Sequence, residues 1–195
     1  MKKLVIIGAI VVLGIIIYRT FAGGYNNMVA KEETVTSAWA QVENVYQRRA
    51  DLIPNLVNTV KGYADFEQET LTKVIEARAK ATSITVDPTN LTPEKLAEFQ
   101  AAQGELSNAL GRLLVSVERY PDLKANQNFL DLQSQLEGTE NRITVERQKF
   151  NAVVQDYNTY IRRFPQNFLS GIYGFEKKGY FEAKEGAEEA PKVEF

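Results

Sequence analysis

The chain has 195 residues, 44% of them hydrophobic and 25% charged, with a formal net charge of −2, which is enough apolar material for one domain with its own core. It contains no histidine and no cysteine. Those two absences exclude zinc sites, iron–sulfur clusters, Ser-His-Asp and Cys-His nucleophile systems, disulfide frameworks and the Glu-x-x-His di-iron sites of helical bundles.

Lys2 and Lys3 precede an unbroken apolar run of 15 residues from Leu4 to Tyr18, followed by Arg19 and a small apolar segment ending at Gly24. A spanning helix needs about 20 apolar residues and tolerates roughly 17. Residues 4–22 supply 19 if Arg19 extends its guanidinium to the headgroups. Residues 1–24 are therefore expected to form a transmembrane anchor that meets the lipid bilayer through residues 4–22. The basic start and the small residues Ala22 and Gly24 also suit a cleaved signal peptide, but Arg19 and Phe21 make a poor approach to a cleavage site, so a retained anchor is preferred. Lys2, Lys3 and the amino terminus before the span outweigh Arg19 and Lys31 after it, which leans the domain to the extracytoplasmic side of the cell membrane. Beyond residue 25 there are 20 basic and 25 acidic residues, so no nucleic acid partner is expected.

From Tyr25 to Ser170 glycine occurs only at 62, 104, 111 and 138, and proline only at 54, 88, 93, 121 and 165, which predicts long helices with few joints. In the first, Val35, Val42, Leu56 and Tyr63 lie in one stripe with Arg49 filling its gap. Ala38, Val45 and Leu52 run beside it, and Trp39, Tyr46, Ile53 and Val60 form a third stripe. Three adjacent stripes suit a bundle core better than a two-stranded seam. Pro54 leaves the phase unchanged, which predicts a kink in a continuing helix rather than a break. Asn26 to Tyr63 would then reach roughly 55 Å. Residues 64–82 continue helically, with Leu71, Val74, Ile75 and Arg78 at three- and four-residue steps, as a bent extension or as a separate second helix, and residues 82–93 read as a loop. Thr92 before Pro93 is a capped helix start, after which Leu96, Phe99, Gln103, Leu106, Leu110, Leu113, Val117 and Tyr120 alternate at steps of three and four.

Pro121 marks the next turn. The last helix keeps Phe129, Leu136, Ile143, Phe150, Tyr157 and Phe164 at an unbroken spacing of seven, the strongest periodic signal in the chain. The expected fold is all-α, an antiparallel up-and-down bundle of about four long helices on one N-terminal transmembrane helix. Residues 25–181 would form the bundle, closed by an aromatic cap after Pro165, and residues 182–195 an acidic disordered tail. The cap residues Phe164, Phe168, Tyr173, Phe175, Tyr180 and Phe181 are candidates for an interaction patch, the alternative being a lid packed over one end of the bundle.

Three stretches add a resemblance that periodicity does not supply: AWAQVENVYQRRADLIPNLVNTVKGY (38–63), ERYPDLKANQNFLDLQ (118–133) and TENRITVERQKFNAVVQDYNTYIRRFP (139–165), closed by GYFEA (179–183). With the anchor and the YNNMV opening at 25–29, the chain resembles the LemA family of bacterial membrane proteins over nearly all of residues 1–183. Departures are mild, Val145-Glu146 standing where small residues are expected. The resemblance implies a single N-terminal transmembrane helix, a helical bundle and a bacterial cell membrane. It implies no reaction, although some relatives are associated with membrane-organelle formation in magnetic bacteria.

The polar residues within the seams are the candidates for a site. If the first and last helices run antiparallel with Asn26 level with Arg163, facing residue numbers add to about 189, so Arg49 faces Glu140 and Val42 faces Arg147. Arg49 and Glu140 are expected to form a partly buried pair that sets helix register, within a structural polar cluster that also includes Asp51, Asn55, Arg142 and Arg147. Arg162, Arg163, Lys177 and Lys178 read as a solvated face. No base accompanies Glu67 or Glu69 to make either a general acid, and no catalytic residue, cofactor or metal ligand is assigned.

The expected function is a non-enzymatic, membrane-anchored scaffold of the bacterial cell envelope. It would engage a membrane or envelope protein, or help organise membrane, through the far end of the bundle. The alternatives are a ligand-binding or hydrolytic domain built on the polar cluster, and an adaptor for a membrane protease.

Overall fold

The computed structural model of the protein describes residues 2–63 and 67–182. Among these there are helices but no strand: α1 (Lys2–Lys61), α2 (Gln68–Ser83), α3 (Pro93–Val117), α4 (Pro121–Lys124), α5 (Gln127–Arg162) and α6 (Gln166–Tyr173). The expected acidic tail lies, apart from Glu182, outside the described residues.

At 60 residues, α1 is about 90 Å long. Its apolar start touches nothing in the bundle, and from Leu4 to Tyr18 every large apolar side chain is at least half exposed. This segment is a candidate membrane span. The same helix then continues into the bundle, where Val35, Trp39, Val42, Tyr46, Ile53, Leu56 and Val60 are buried as the stripes require.

Pro54 does not end α1. Proline has no N–H for the carbonyl one turn earlier, and that carbonyl, Ala50 O, instead accepts a hydrogen bond from Arg78 Nε of α2 at 2.8 Å. Beyond Gly62 and Tyr63, residues 68–83 form a separate helix rather than an extension of α1. The α3 start is the expected one, with Pro93 in its first turn and the Thr92 hydroxyl accepting from the Lys95 N–H. Pro121 opens the one-turn helix α4, and Asn126 caps α5 by accepting from the Phe129 N–H.

The long helices pair antiparallel, α1 with α5 and α2 with α3, and α2 also packs on α1. The α1/α5 register is visible in two cross-pairs, Lys31 with Asp156 and Arg49 with Glu140. In α2/α3 it is visible in Lys80 with Glu105 and Arg119 with Glu67. The core has two parts. One holds Trp39, Tyr46, Phe99, Ile143, Phe150 and Phe181, the other Leu52, Ile53, Leu106, Leu113, Phe129 and Leu136.

After α5 the chain turns at Pro165 into α6, then runs back along the bundle as an extended strap over residues 174–182. Two asparagines on α5 hold this strap as a neighbouring strand would. Asn158 accepts from the Lys178 N–H and donates to its carbonyl, and Asn151 does the same for Phe181. Gly179 N–H donates to Leu91 O, and a Cβ at Gly179 would fall 2.9 Å from Pro93 Cα, so only glycine allows the strap this close to the start of α3.

Candidate functional site

Arg49 lies at the division between the two parts of the core. On each helix the polar residue falls between apolar ones assigned to different clusters: Arg49 between Tyr46 and Leu52, Gln103 between Phe99 and Leu106, Glu140 between Ile143 and Leu136. These side chains form one polar layer through the bundle. The Arg49 guanidinium, 2% exposed, donates from Nη1 to Glu140 Oε2 at 2.8 Å and to Ser107 Oγ at 2.8 Å, and from Nη2 to Gln103 Oε1 at 2.6 Å. Gln103 in turn donates to Ala81 O at the end of α2, so the layer joins all four long helices. Arg49 Nε is buried without an acceptor.

A cleft of about 870 Å³ opens over this layer, lined by Arg49, Gln103, Ser107 and Glu140 together with Arg147 and Lys177. Arg147 is directed to the strap: its Nη2 donates to Glu182 O at 2.8 Å and its guanidinium lies over the Phe181 ring at 4.7 Å. Tyr46, whose ring lies 5.1 Å from the Arg49 guanidinium, has its hydroxyl pKa raised by burial, against the opposing pull of Arg147 and Arg49. The cleft therefore presents cationic and amide groups around the half-exposed carboxylate of Glu140, with Glu182 also in its lining.

Three expected members of the cluster lie elsewhere. Asp51 and Asn55 are on the exposed face of α1, where Asp51 accepts from Gln47, and Arg142 is exposed on α5. The reason is helical geometry. A residue two positions on is displaced by about 200° around the helix and one six positions on by about 240°, so neither shares the inward face with Arg49 or Glu140.

Sequence reasoning missed the inward residues Gln103 and Ser107 as partners of Arg49, and Asn151 and Asn158 as clamps of the strap. A signal for the asparagines was present, since they lie seven apart and adjoin the apolar stripe of α5. Lys178 is not part of a solvated face. It is buried, and its ammonium donates to Thr89 O at 2.6 Å and pairs with Glu32 at 2.7 Å.

The aromatic cap separates into two groups. Phe181 is core, packed on Trp39 and Phe150, because the strap carries it back into the bundle. Tyr180 is partly exposed and its hydroxyl accepts from Asn158. Phe164, Phe168 and Tyr173 are exposed, and Phe175 is half-buried. This exposed group is not at the far end of the bundle. Tyr173 packs edge-on against Tyr25 at 4.9 Å, and Phe175 against the same ring at 5.9 Å, so the patch sits beside the point where α1 leaves its bare apolar segment. Antiparallel pairing explains the placement, because the end of α5 has to return to the start of α1 in the bundle.

The model of the LemA family matches residues 38–195. Over 177 residues the chain is 28% identical to magnetosome protein MamQ 2 of Paramagnetospirillum magneticum, a match that takes in 82% of the chain and 65% of that relative. It is 28% identical over 194 residues to magnetosome protein MamQ of Magnetospirillum gryphiswaldense, covering 90% of the chain and 71% of the relative. To protein LemA of Metamycoplasma hominis it is 26% identical over 170 residues, covering 87% and 74% respectively. The chain thus spans about two thirds to three quarters of the length of these relatives.

Proposed function

The chain belongs to the LemA family, and from that membership we propose that it is a non-enzymatic, membrane-anchored scaffold of the bacterial cell envelope. Its helical bundle would stand on the extracytoplasmic side and engage another membrane or envelope protein. The observation that carries this reading is the unbroken α1, which runs from the candidate span through the whole bundle without a joint. A bundle continuous with its anchor is held at a defined position relative to the bilayer, which suits display of a surface better than capture of a diffusing substrate.

The polar layer supports the same reading, since the charge and amides of Arg49, Gln103 and Glu140 are used on one another. Relatives named as magnetosome proteins are consistent with a task in membrane organisation. The surface for a partner is placed on the end remote from the span, where Val115 and Leu130 are exposed apolar side chains.

The test is a photoreactive residue at Val115, and separately at Leu130, in the full chain expressed in its native membrane. One defined membrane or envelope protein is expected at both positions, captured equally by a Glu140→Gln background. Capture of nothing beyond lipid would overturn the scaffold reading, and loss of capture in Glu140→Gln would move the activity to the polar cleft. Sidedness is read by labelling Val115→Cys with a membrane-impermeant maleimide. Reaction in intact cells is expected, and reaction only after permeabilisation would reverse the orientation.

A further inference from the structure

We propose that α6 is a second membrane contact, an amphipathic helix lying in the headgroup layer beside the exit of the candidate span, with Phe164, Phe168 and Ile172 reaching the acyl boundary. The inference rests on the anchored reading above and assigns an occupant, the lipid bilayer, to a surface which that reading leaves unexplained.

Phe164, Phe168 and Ile172 are 80%, 65% and 70% exposed. Phe168 and Ile172 lie four residues apart and so share one face of α6, and the Phe164 ring, in the turn before it, packs edge-on against Phe168 at 6.1 Å. The neighbouring face of α6 holds the helix in place: Leu169 is buried and the Ser170 hydroxyl donates to Ile161 O. Three large apolar side chains exposed together on α6 and the turn before it, beside a face that is firmly seated, require a partner of their own.

The level of α6 along α1 identifies that partner. Leu169 Cδ1 lies 2.8 Å from where a Cβ on Gly24 would be, and Tyr173 packs on Tyr25. Residue 25 is only three residues beyond Ala22, the end of the expected span, an axial rise of about 4.5 Å. Headgroup layers extend roughly 5–8 Å beyond the hydrocarbon on each side, so an element docked at residues 24–25 of a spanning helix lies inside one. Helices of this kind bury their apolar face about 5–10 Å into the boundary between headgroups and chains.

Composition agrees with the level. Tyr18, Tyr25 and Tyr173 are the amphipathic rings that gather at a membrane interface. Arg162 and Arg163 are exposed just before Phe164 and Lys177 just after α6, positions suited to anionic headgroups. A protein partner at the same surface would have to displace lipid around the span, which makes the bilayer the better-matched occupant.

Because the chain contains no cysteine, a single introduced thiol labels one site without further changes. The full chain is reconstituted into vesicles of phosphatidylcholine and phosphatidylglycerol with an environment-sensitive fluorophore on Phe168→Cys or Ile172→Cys. Leu13→Cys serves as the control within the span and Val115→Cys as the control at the remote end. Quenching is then read with lipids carrying a nitroxide either near the headgroup or at the end of the acyl chain. Labels at 168 and 172 are expected to be quenched most strongly by the shallow nitroxide, the label at 13 by the deep one, and the label at 115 by neither. If 13 is quenched while 168 and 172 stay as unquenched as 115, α6 faces water or protein and the inference fails with the anchor intact. If 13 is not quenched by the deep nitroxide, the anchored reading fails and the inference falls with it.

Discussion

Replacing Glu140 with alanine leaves the buried Arg49 guanidinium bonded to Gln103 Oε1 and Ser107 Oγ but without its counter-charge. Removing one partner of a fully buried ion pair costs about 3–5 kcal/mol. Glu140 is itself 44% exposed, so water already screens the pair and enters the space the side chain vacates, which lowers the expected cost to about 2 kcal/mol. At about 2–4 °C per kcal/mol for a protein of this size, the full chain in detergent micelles should melt about 4–8 °C lower by far-ultraviolet circular dichroism. Arg49→Met removes the charge but keeps an unbranched apolar stem. Glu140 then turns to solvent, and only Gln103 and Ser107 lose a partner, at a cost of about 1–2 kcal/mol. The double variant Arg49→Met/Glu140→Ala should therefore be no less stable than Arg49→Met alone. If Glu140→Ala melts with the wild type, or if the two single losses simply add, the polar layer does not hold the bundle through this pair.

A second expectation concerns the proline in α1. Arg78→Met should cost about 1–3 kcal/mol by leaving the buried Ala50 carbonyl without a donor, and the loss should shrink in a Pro54→Ala background, where the restored N–H takes Arg78's place; equal losses in both backgrounds, measured by urea unfolding, would refute the substitution of one donor for the other. A third concerns acid. The Thr89 hydroxyl and N–H both donate to Asp87 and hold its carboxyl below the ordinary 3.8, so the unfolded chain takes up that proton first, and the stability involved is present above 3.8 and is lost as the pH falls through the folded value. Asp87→Asn should accordingly flatten the acid limb of a series of urea melts at different pH, and an unchanged slope below the ordinary value would refute the assignment.

Most of the fold was legible because its signals are local or periodic. The stripes of α1 and α5 specify both helices, and antiparallel pairing with Asn26 level with Arg163 then brings Arg49 to Glu140. Asp51, Asn55 and Arg142 were misplaced because closeness in sequence was taken for closeness on a helix face. Gln103 stood in the expected stripe of α3, but its role depends on how α3 sits across α1, which no single-helix pattern encodes. The strap has no periodicity at all. Phe181 looked like a member of a surface cap because nothing local shows that Asn151 and Asn158 draw residues 178–181 back into the bundle. Arg78 was legible only in part: it fell in the α2 pattern, yet its acceptor exists because a proline on another helix lacks an N–H.

Gly23 and Gly24 stand where α1 passes from its bare segment into the bundle, and glycine costs a helix about 1 kcal/mol relative to alanine at each position. Left alone, this is where a 60-residue helix would bend most readily. It is also where α6 packs. Leu169 occupies the space that any side chain on residue 24 would need, and Tyr173 and Phe175 meet Tyr25 one residue further on. The weak point in helix propensity is thus a point of side-chain contact, so the glycine that would permit a hinge admits the group that braces it. A larger residue at 24 would strengthen the isolated helix while requiring the Leu169 side chain to shift. The direction in which the bundle continues from the candidate span is therefore braced by a contact between the end of the domain and its beginning, rather than by the stiffness of α1 alone.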